Sequence, residues 1–359
     1  MSGQIITNDI DACVICALPE EADTFMRTLA LHDNVVFEKA FSKRSKREYR
    51  YASIQNNSGE PLKLLVSWPP GYGAVETSLH LKPMLEECKP RFVAMTGICA
   101  GDRQKVKLGD IIVADRTFTY DNGKFVRDEH RQVYLYDTDT RHADPTVLQF
   151  VRMFDAWKSS VVTLPRPCSR RQQREWLLCQ LLKGTTLRVD DISPELLNKN
   201  APAWRKIVHD LQRKPHCYLT KDRMLRDKAI IEELFYSEEI FPFQDPTQPE
   251  CYIAPMASGS AIRGDDPFDT IRIPVRGTAG IDMEGATFYR TMVDFPGIHS
   301  LLVKGVSDYA DREKDDEYHN YAAEIAALYV FAFIKEYVTS DLMPKRGKIR
   351  EKAISNHRK

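Results

Sequence analysis

The sequence carries no surplus of charge of either sign. Lys+Arg and Asp+Glu each number 51 in 359 residues, so the formal net charge is zero. Nothing global favours an anionic membrane or nucleic acid, and neither is expected as a partner. No apolar run is long enough to cross a bilayer. The opening stretch, MSGQIITNDIDACVICALPEE, has neither a charged n-region nor a cleavage site, so no signal peptide is read and a cytoplasmic location is expected. Cysteine is sparse, at 8 residues, which excludes the dense disulfide framework of small secreted chains. The one CxxC, Cys13 and Cys16, lies inside the apolar run ACVICAL, which reads as a buried strand. Residues three apart on a strand point to opposite faces, so this pair reads as packing and not as a chelate. There is no second CxxC and no HExxH, and no metal or cofactor is expected.

What is present suffices for a core. Hydrophobic residues make up 43% and charged residues 28%, an ordinary globular balance. The length admits one large domain or two smaller ones. Ala12 to Ala17 reads as a strand, and Pro19 with Glu20 and Glu21 fits a helix first turn. Leu18, Ala22, Phe25 and Leu29 follow at helical spacing. The pattern recurs with LKLLV (62–66), then Gly71, Gly73 and a helix through Leu81 and Leu85, whose end Pro83 puts in question. Arg91 to Met95, running into Thr96-Gly97, and Asp110 to Ala114 read as further strands. Strands alternating with helices predict an α/β fold, a mixed sheet with helices on its faces.

From about Thr140 to Glu250 proline and charge rise and the strands stop. LPRPCSRR reads as a linker, RQQREWLLCQLLKG as a helix ended by Gly184, and PAWRKIVHDLQ as a helix with Ile207, Val208 and Leu211 inward. CYLTKD follows as a short strand. Helices followed by a strand is a winged-helix-like order, weighed against a plain helical decoration. The sheet pattern resumes at Tyr252, and a closing helix carries Ala322, Ile325, Ala326, Tyr329 and Phe333. The division expected is an α/β domain over 10–139 and 251–340, a mainly helical insertion over 140–250, and a basic, disordered tail over 344–359.

In α/β sheets ligands collect outside the carboxyl ends of strands. Glu20 and Glu21 follow the first strand, Asp282 and Glu284 lie in GIDMEGA, and Asp308 closes LLVKGVSD. Each alone reads as a helix cap; their joint placement points to chemistry. Cleaving a purine N-glycosidic bond needs such a set: an acid at the leaving base, a carboxylate near the developing oxocarbenium ion, and a base to orient water.

MTGICAGDRQKVKLGDIIVAD, MASGSAIRGDDPF, GIDMEGATFYR and VKGVSDYAD resemble, in this order, the signature segments of the nucleoside phosphorylase/nucleosidase superfamily. They are most similar to its methylthioadenosine/S-adenosylhomocysteine nucleosidase branch. The resemblance covers the opening to about Lys124 and again Tyr252 to about Tyr337. It implies a phosphorylase/nucleosidase-type fold, a homo-oligomer and hydrolysis of a purine nucleoside or nucleotide. It places Glu21 as the water-orienting base, Glu284 and Met283 on the ribose, and Asp308 with Ser307 at the base, Asp308 being the acid toward N7. It puts Ile98, Cys99, Ala100 and Gly101 on a small-residue loop beside the ribose, and Asp282 where a Glu is usual. Ile262 falls where an aromatic usually stacks on the base, a departure from the pattern.

The insertion, APMASGSAIRGDDPF and DYADREKDDEYHNYAAE also resemble phosphorylase-type effector domains of bacterial defence and NLR-like proteins. That implies a nucleotide substrate, ATP included, and a role in antiviral defence. A nucleotide needs cations near the ribose 5′ position. Arg263 and Lys304 are the candidates beside the site, with Arg170, Arg171 and Arg174 in the insertion weighed against solvated surface. Two alternatives stay open: phosphorolysis, with Arg103 and Arg116 as phosphate holders by position only, and a non-catalytic nucleotide-sensing or interaction domain.

Overall fold

The computed structural model describes residues 4–5, 10–128, 131–156, 164, 166–168, 170–183, 188–213, 218–226, 248–261, 267–311 and 318–344. These fall into two compact units, 1–164 with 249–359, and 165–248. Residues 140–164, expected in the insertion, belong to the first unit. There Arg141–His142 pairs with a sheet strand, and His299 Nδ1 lies 2.7 Å from Asp144 Oδ2.

In chain order the first unit runs β1 (Gln4–Ile5), β2 (Ala12–Cys16), α1 (Pro19–Asp33), β3 (Glu38–Phe41), β4 (Glu48–Gln55), β5 (Pro61–Ser67), α2 (Ala74–Cys88) and β6 (Phe92–Gly101). It continues with β7 (Ile111–Thr119), β8 (Gly123–Asp128), β9 (Arg131–Tyr136), β10 (Arg141–His142) and α3 (Pro145–Met153). The second unit supplies α4 (Arg170–Lys183), α5 (Pro194–Asn200) and α6 (Trp204–Leu211). The first unit then resumes with β11 (Cys251–Ser258), α7 (Phe268–Ile271), β12 (Gly280–Asp282), α8 (Gly285–Met292), β13 (His299–Asp308) and α9 (His319–Tyr337).

Eleven of these strands form one mixed sheet in the order β1-β3-β4-β5-β2-β6-β12-β11-β7-β10. The eleventh, β13, pairs with both β6 and β7. Since β6 also reaches β7 through β12 and β11, these five strands close on themselves. Strand β2 shows how the sheet is covered. Ala12, Val14 and Cys16 face a cluster built with α1 and α9, including Phe25, Leu29, Ile325 and Phe333. Cys13 and Ile15 face another built with α2 and α8, including Leu81, Met84, Leu85 and Phe288. The two CxxC cysteines thus lie on opposite faces, as a strand's period of two requires.

Two expectations change. Ile98 to Gly101 is not a loop but the end of β6, because β13 pairs with it as far as Ala100, through a register shift at Ser307, and β12 pairs Ala100 and Gly101. Helix α2 runs through Pro83 to Cys88. Proline cannot donate to the carbonyl four residues back, here Leu79, and the Arg47 guanidinium donates to that oxygen at 3.2 Å instead.

Candidate active site

Strand β6 is the ruler on which the site is laid out. At Ile98, its backbone N–H donates to Glu21 Oε1 at 2.9 Å. At Cys99, its carbonyl accepts from Ser307 Oγ at 3.2 Å. At Ala100, it pairs with Asp308 on one side and Ile281 on the other. Two carboxylates far apart in sequence, Glu21 and Asp308, are thereby fixed within a few residues of one strand end, and Ile281 brings the neighbouring Asp282 beside them.

Glu21 sits in the first turn of α1 and folds back on the preceding chain. Its Oε2 accepts from the N–H groups of Ala17 (2.9 Å) and Leu18 (3.2 Å). It therefore does cap the helix, and Ile98 adds a third, long-range donor. Gly97 makes this approach possible. Its φ is +148, and a Cβ there would collide with Glu21 Oε1.

Asp282 ends β12 and Glu284 is the N-cap of α8. Asp282 is fully engaged, accepting from Ser258 Oγ at 2.6 Å and from Gly285 N at 3.0 and 3.1 Å. Ser258 Oγ in turn accepts from Ala286 N at 2.8 Å. Glu284 accepts from the N–H of Gly73 at 2.9 Å. Gly73 has φ +90 and is the N-cap of α2. Met283, between the two acids, is half-buried.

Lys304, on β13, is 1% exposed. Its ammonium lies 3.7 Å from Asp282 and 3.9 Å from Glu284. Burial alone would lower its pKa, but Glu21, Asp282 and Glu284 outweigh it and the pKa is raised. It is a charged ammonium inside a ring of carboxylates. Burial pushes the Glu284 carboxyl up to about 7, opposed by Lys304 and the Gly73 N–H and assisted by Asp282 and Glu21.

Asp308, at the end of β13, accepts from Ala310 N at 2.9 Å, and its other carboxyl oxygen lies 3.0 Å from Ser307 Oγ, whose single O–H is shared between it and the Cys99 carbonyl. His319 Nε2 lies 3.9 Å away. Cys99 and Gly101 are buried, whereas Ile98 and Ala100 are partly open. Arg103 stacks over Tyr309 at 4.3 Å and pairs with Asp311. Arg116 is 3.9 Å from Asp115. Arg170, Arg171 and Arg174 lie on α4 in the second unit. Ile262 and Arg263 lie outside the described residues.

Sequence reasoning missed Gly73, Gly97, Ser258 and His319. The glycines were visible only as turn signals, and Ser258 stood unmarked inside the segment MASGS. Among the described residues no group of three His, Cys, Asp or Glu is arranged to hold a metal ion, and no helix is long and apolar enough to cross a membrane.

No family model matches the chain. It is 24% identical over 267 residues to the uncharacterized protein y4jS of Sinorhizobium fredii, covering 73% of this chain and 47% of that one. It is 21% identical over 289 residues to the ATP nucleosidase Cap17 of Escherichia coli, covering 79% of this chain and 43% of that one. The chain spans less than half the length of these curated relatives. Among solved structures it is similar to the futalosine hydrolase of Helicobacter pylori (13% identity, TM-score 0.49), over 90% of this chain and 97% of that one. It is likewise similar to the Helicobacter pylori 5′-methylthioadenosine/S-adenosylhomocysteine nucleosidase (13% identity, TM-score 0.48), over 93% and 99%.

Proposed function

We propose that this chain hydrolyses the N-glycosidic bond of a purine nucleoside or nucleotide, with adenine as the base and ATP among its substrates. The observation that carries the reading is the placement of Glu21 and Asp308 at the end of β6, with Glu284 joined to them through the buried Lys304, on which Glu21 and Glu284 both act. Similarity to a relative named as an ATP nucleosidase supports it.

The division of labour follows from hydrogen-bonding capacity. A carboxylate oxygen has two acceptor sites. In Glu21, Oε2 uses both on Ala17 and Leu18, whereas Oε1 uses one on Ile98. The second site on Oε1 orients the attacking water and takes its proton. Asp308 gives a proton to N7 of the departing base, and Ser307 and Ala310 hold its carboxyl in place. Glu284, with Met283 beside it, holds the ribose hydroxyls and stabilises positive charge at the sugar. Water supplies the hydroxyl that ends on the anomeric carbon. The departing bond's electrons end on the protonated base.

Lys304 takes a different role from the one its sequence position suggested. A cation buried among three carboxylates is their counter-ion, and reaching a 5′ phosphate would leave them unpaired. Phosphate contacts fall to Arg263 or to cations elsewhere. A homo-oligomer belongs to the same proposal. Tyr72, Val75 and Leu79 are exposed on and beside α2, next to the Gly73 that holds Glu284, and a second copy would cover them. Light scattering that reads the mass of one chain removes that part.

The test is adenine release from ATP, AMP, adenosine, methylthioadenosine and S-adenosylhomocysteine in phosphate-free buffer. Release from ATP or AMP supports a nucleotide hydrolase, and with it a role in antiviral defence through loss of the ATP pool. Activity that appears only on adding phosphate replaces hydrolysis with phosphorolysis. Tight binding without turnover replaces both with a sensor.

A further inference from the structure

The second unit has its own core, and its described residues show a definite element order. Helix α4 is followed by Arg188, which bridges to Met224 in antiparallel fashion. Next come α5 and α6, joined by only Ala201, Pro202 and Ala203. Last comes a hairpin over 218–226, closed by the Leu219–Leu225 bridge and by Thr220 N donating to Met224 O at 2.8 Å. Two helices joined by a three-residue turn are a helix-turn-helix unit. Here a third helix stands in front and a hairpin behind, which is the winged-helix order. Leu181, Val189, Leu197, Ile207, Leu211 and Leu225 pack together inside, so each of these elements contributes to one core.

Packing fixes which side of α6 faces out. Ile207, Val208 and Leu211 are buried, while Arg205, Lys206, His209 and Asp210 are exposed. Arg213 follows, also exposed. On the hairpin Lys221, Asp222, Arg223 and Arg226 are exposed. Across α6, the residue after its cap and the hairpin, six cations (Arg205, Lys206, Arg213, Lys221, Arg223, Arg226) face two carboxylates (Asp210, Asp222). Trp204 ties the two parts together, with the Arg205 and Arg223 guanidinium groups 4.7 and 6.0 Å from its ring. Asp190 pairs with Arg223 at 2.7 Å and with Arg188 at 3.8 Å. The zero net charge of the whole chain conceals this local surplus.

We infer that the second unit binds duplex DNA, with the outer face of α6 in the major groove and the 218–226 hairpin along the adjacent backbone. In a helix-turn-helix unit the second helix enters the groove and its outward side chains meet base edges and phosphates. The basic outer face is complementary to the phosphate backbone, whose neutralisation supplies most of the affinity. The inference does not rest on the nucleosidase reading, since it uses only the second unit.

The test is fluorescence anisotropy of a labelled DNA duplex of about 20 base pairs, spanning roughly two helical turns, titrated with the full chain. If four phosphates are contacted, affinity falls by about 100-fold between about 50 and 200 mM salt. R205E/K206E and K221E/R226E each weaken binding by about 10-fold or more and flatten the salt dependence, with far-UV circular dichroism and Tm unchanged. If one pair of substitutions perturbs folding, the other still decides. Three results overturn the inference: no binding at about 50 mM salt, binding unchanged in both variants, or equal competition by an RNA duplex, whose narrow major groove excludes a helix.

Discussion

A carboxylate that accepts three backbone N–H bonds is positioned before any substrate arrives, and Glu21 is in that state. Its amide replacement turns one acceptor oxygen into a donor facing backbone donors, so E21Q loses stability as well as chemistry. Asp308 offers the cleaner variant. Ala310 N can still donate to the oxygen of an Asn there, and Ser307 can turn its hydroxyl to accept from the amide. D308N is expected to lower adenine release by about 10²–10⁴-fold with its melting curve unchanged, and release at the wild-type rate removes Asp308 as the acid. Glu284 makes a prediction in pH. With its carboxyl near 7, the ionised form that would anchor the ribose grows in as pH rises through 7, so kcat/KM rises with it. A flat profile from acid to mildly alkaline pH contradicts this. The sign for stability is opposite. A carboxyl whose folded pKa lies above its unfolded one contributes stability below the unfolded value, and that contribution is lost as pH rises through about 7. E284Q therefore melts above the wild type at alkaline pH while losing base release, and a lower Tm there counts against it. Glu21, Glu284 and Asp308 were visible in the sequence as acids at strand ends, and the roles proposed for them come from the family resemblance and not from that pattern. The Gly73 N–H on Glu284 was not visible there, since it arrives from 211 residues away.

Helix α2 shows how one element overrides its own sequence signal. Proline in a helix interior removes a donor and usually ends or kinks the helix, yet α2 continues for five residues beyond Pro83. Arg47 bonds the orphaned Leu79 carbonyl and lies 3.0 Å from His80 Nδ1. His80 is itself buried, and burial, with Arg47 adding to it, lowers its pKa to about 4, so a neutral ring meets both Arg47 and Ser67 Oγ. R47A is expected to cost about 1.5–3 kcal/mol in urea unfolding, the value of a charged hydrogen bond. In a P83A background the Leu79 carbonyl regains its helical donor, so the same substitution costs less. Equal costs in both backgrounds mean that Arg47 does not act through Leu79. The helix was legible from its apolar spacing and its continuation was not, because the compensating cation lies on another element. Strands β3 and β4 were illegible for a different reason. In β4 only Tyr49, Ala52 and Ile54 are buried, a spacing that breaks the strict alternation of a half-buried strand.

At the scale of the molecule the question is whether the second unit is an insertion that the first can lose. Both flanking segments are anchored within the first unit. The Leu164 carbonyl accepts from Tyr321 Oη at 3.2 Å. Glu250 donates from its N–H to Asp110 at 2.8 Å and accepts from Ile111 N at 2.8 Å. At the root of the second unit, Arg166 donates to the Gln248 carbonyl at 3.3 Å, so the chain leaves and returns at neighbouring points. The hydrophobic clusters on the two sheet faces draw their residues from the first unit, and the second unit's core draws only on its own. An insertion with adjacent ends and a private core can be replaced by a short linker at small entropic cost. A chain with 165–248 replaced by a few Gly and Ser residues is therefore expected to unfold cooperatively and to release adenine from adenosine at close to the full-length rate. Loss of cooperative unfolding shows that the first unit depends on the second. The substrate then separates two roles for the insertion. If ATP and adenosine both remain substrates, the phosphate contacts lie in the first unit, at or near Arg263. If ATP alone is lost, the first unit handles the nucleoside without the insertion but not the nucleotide.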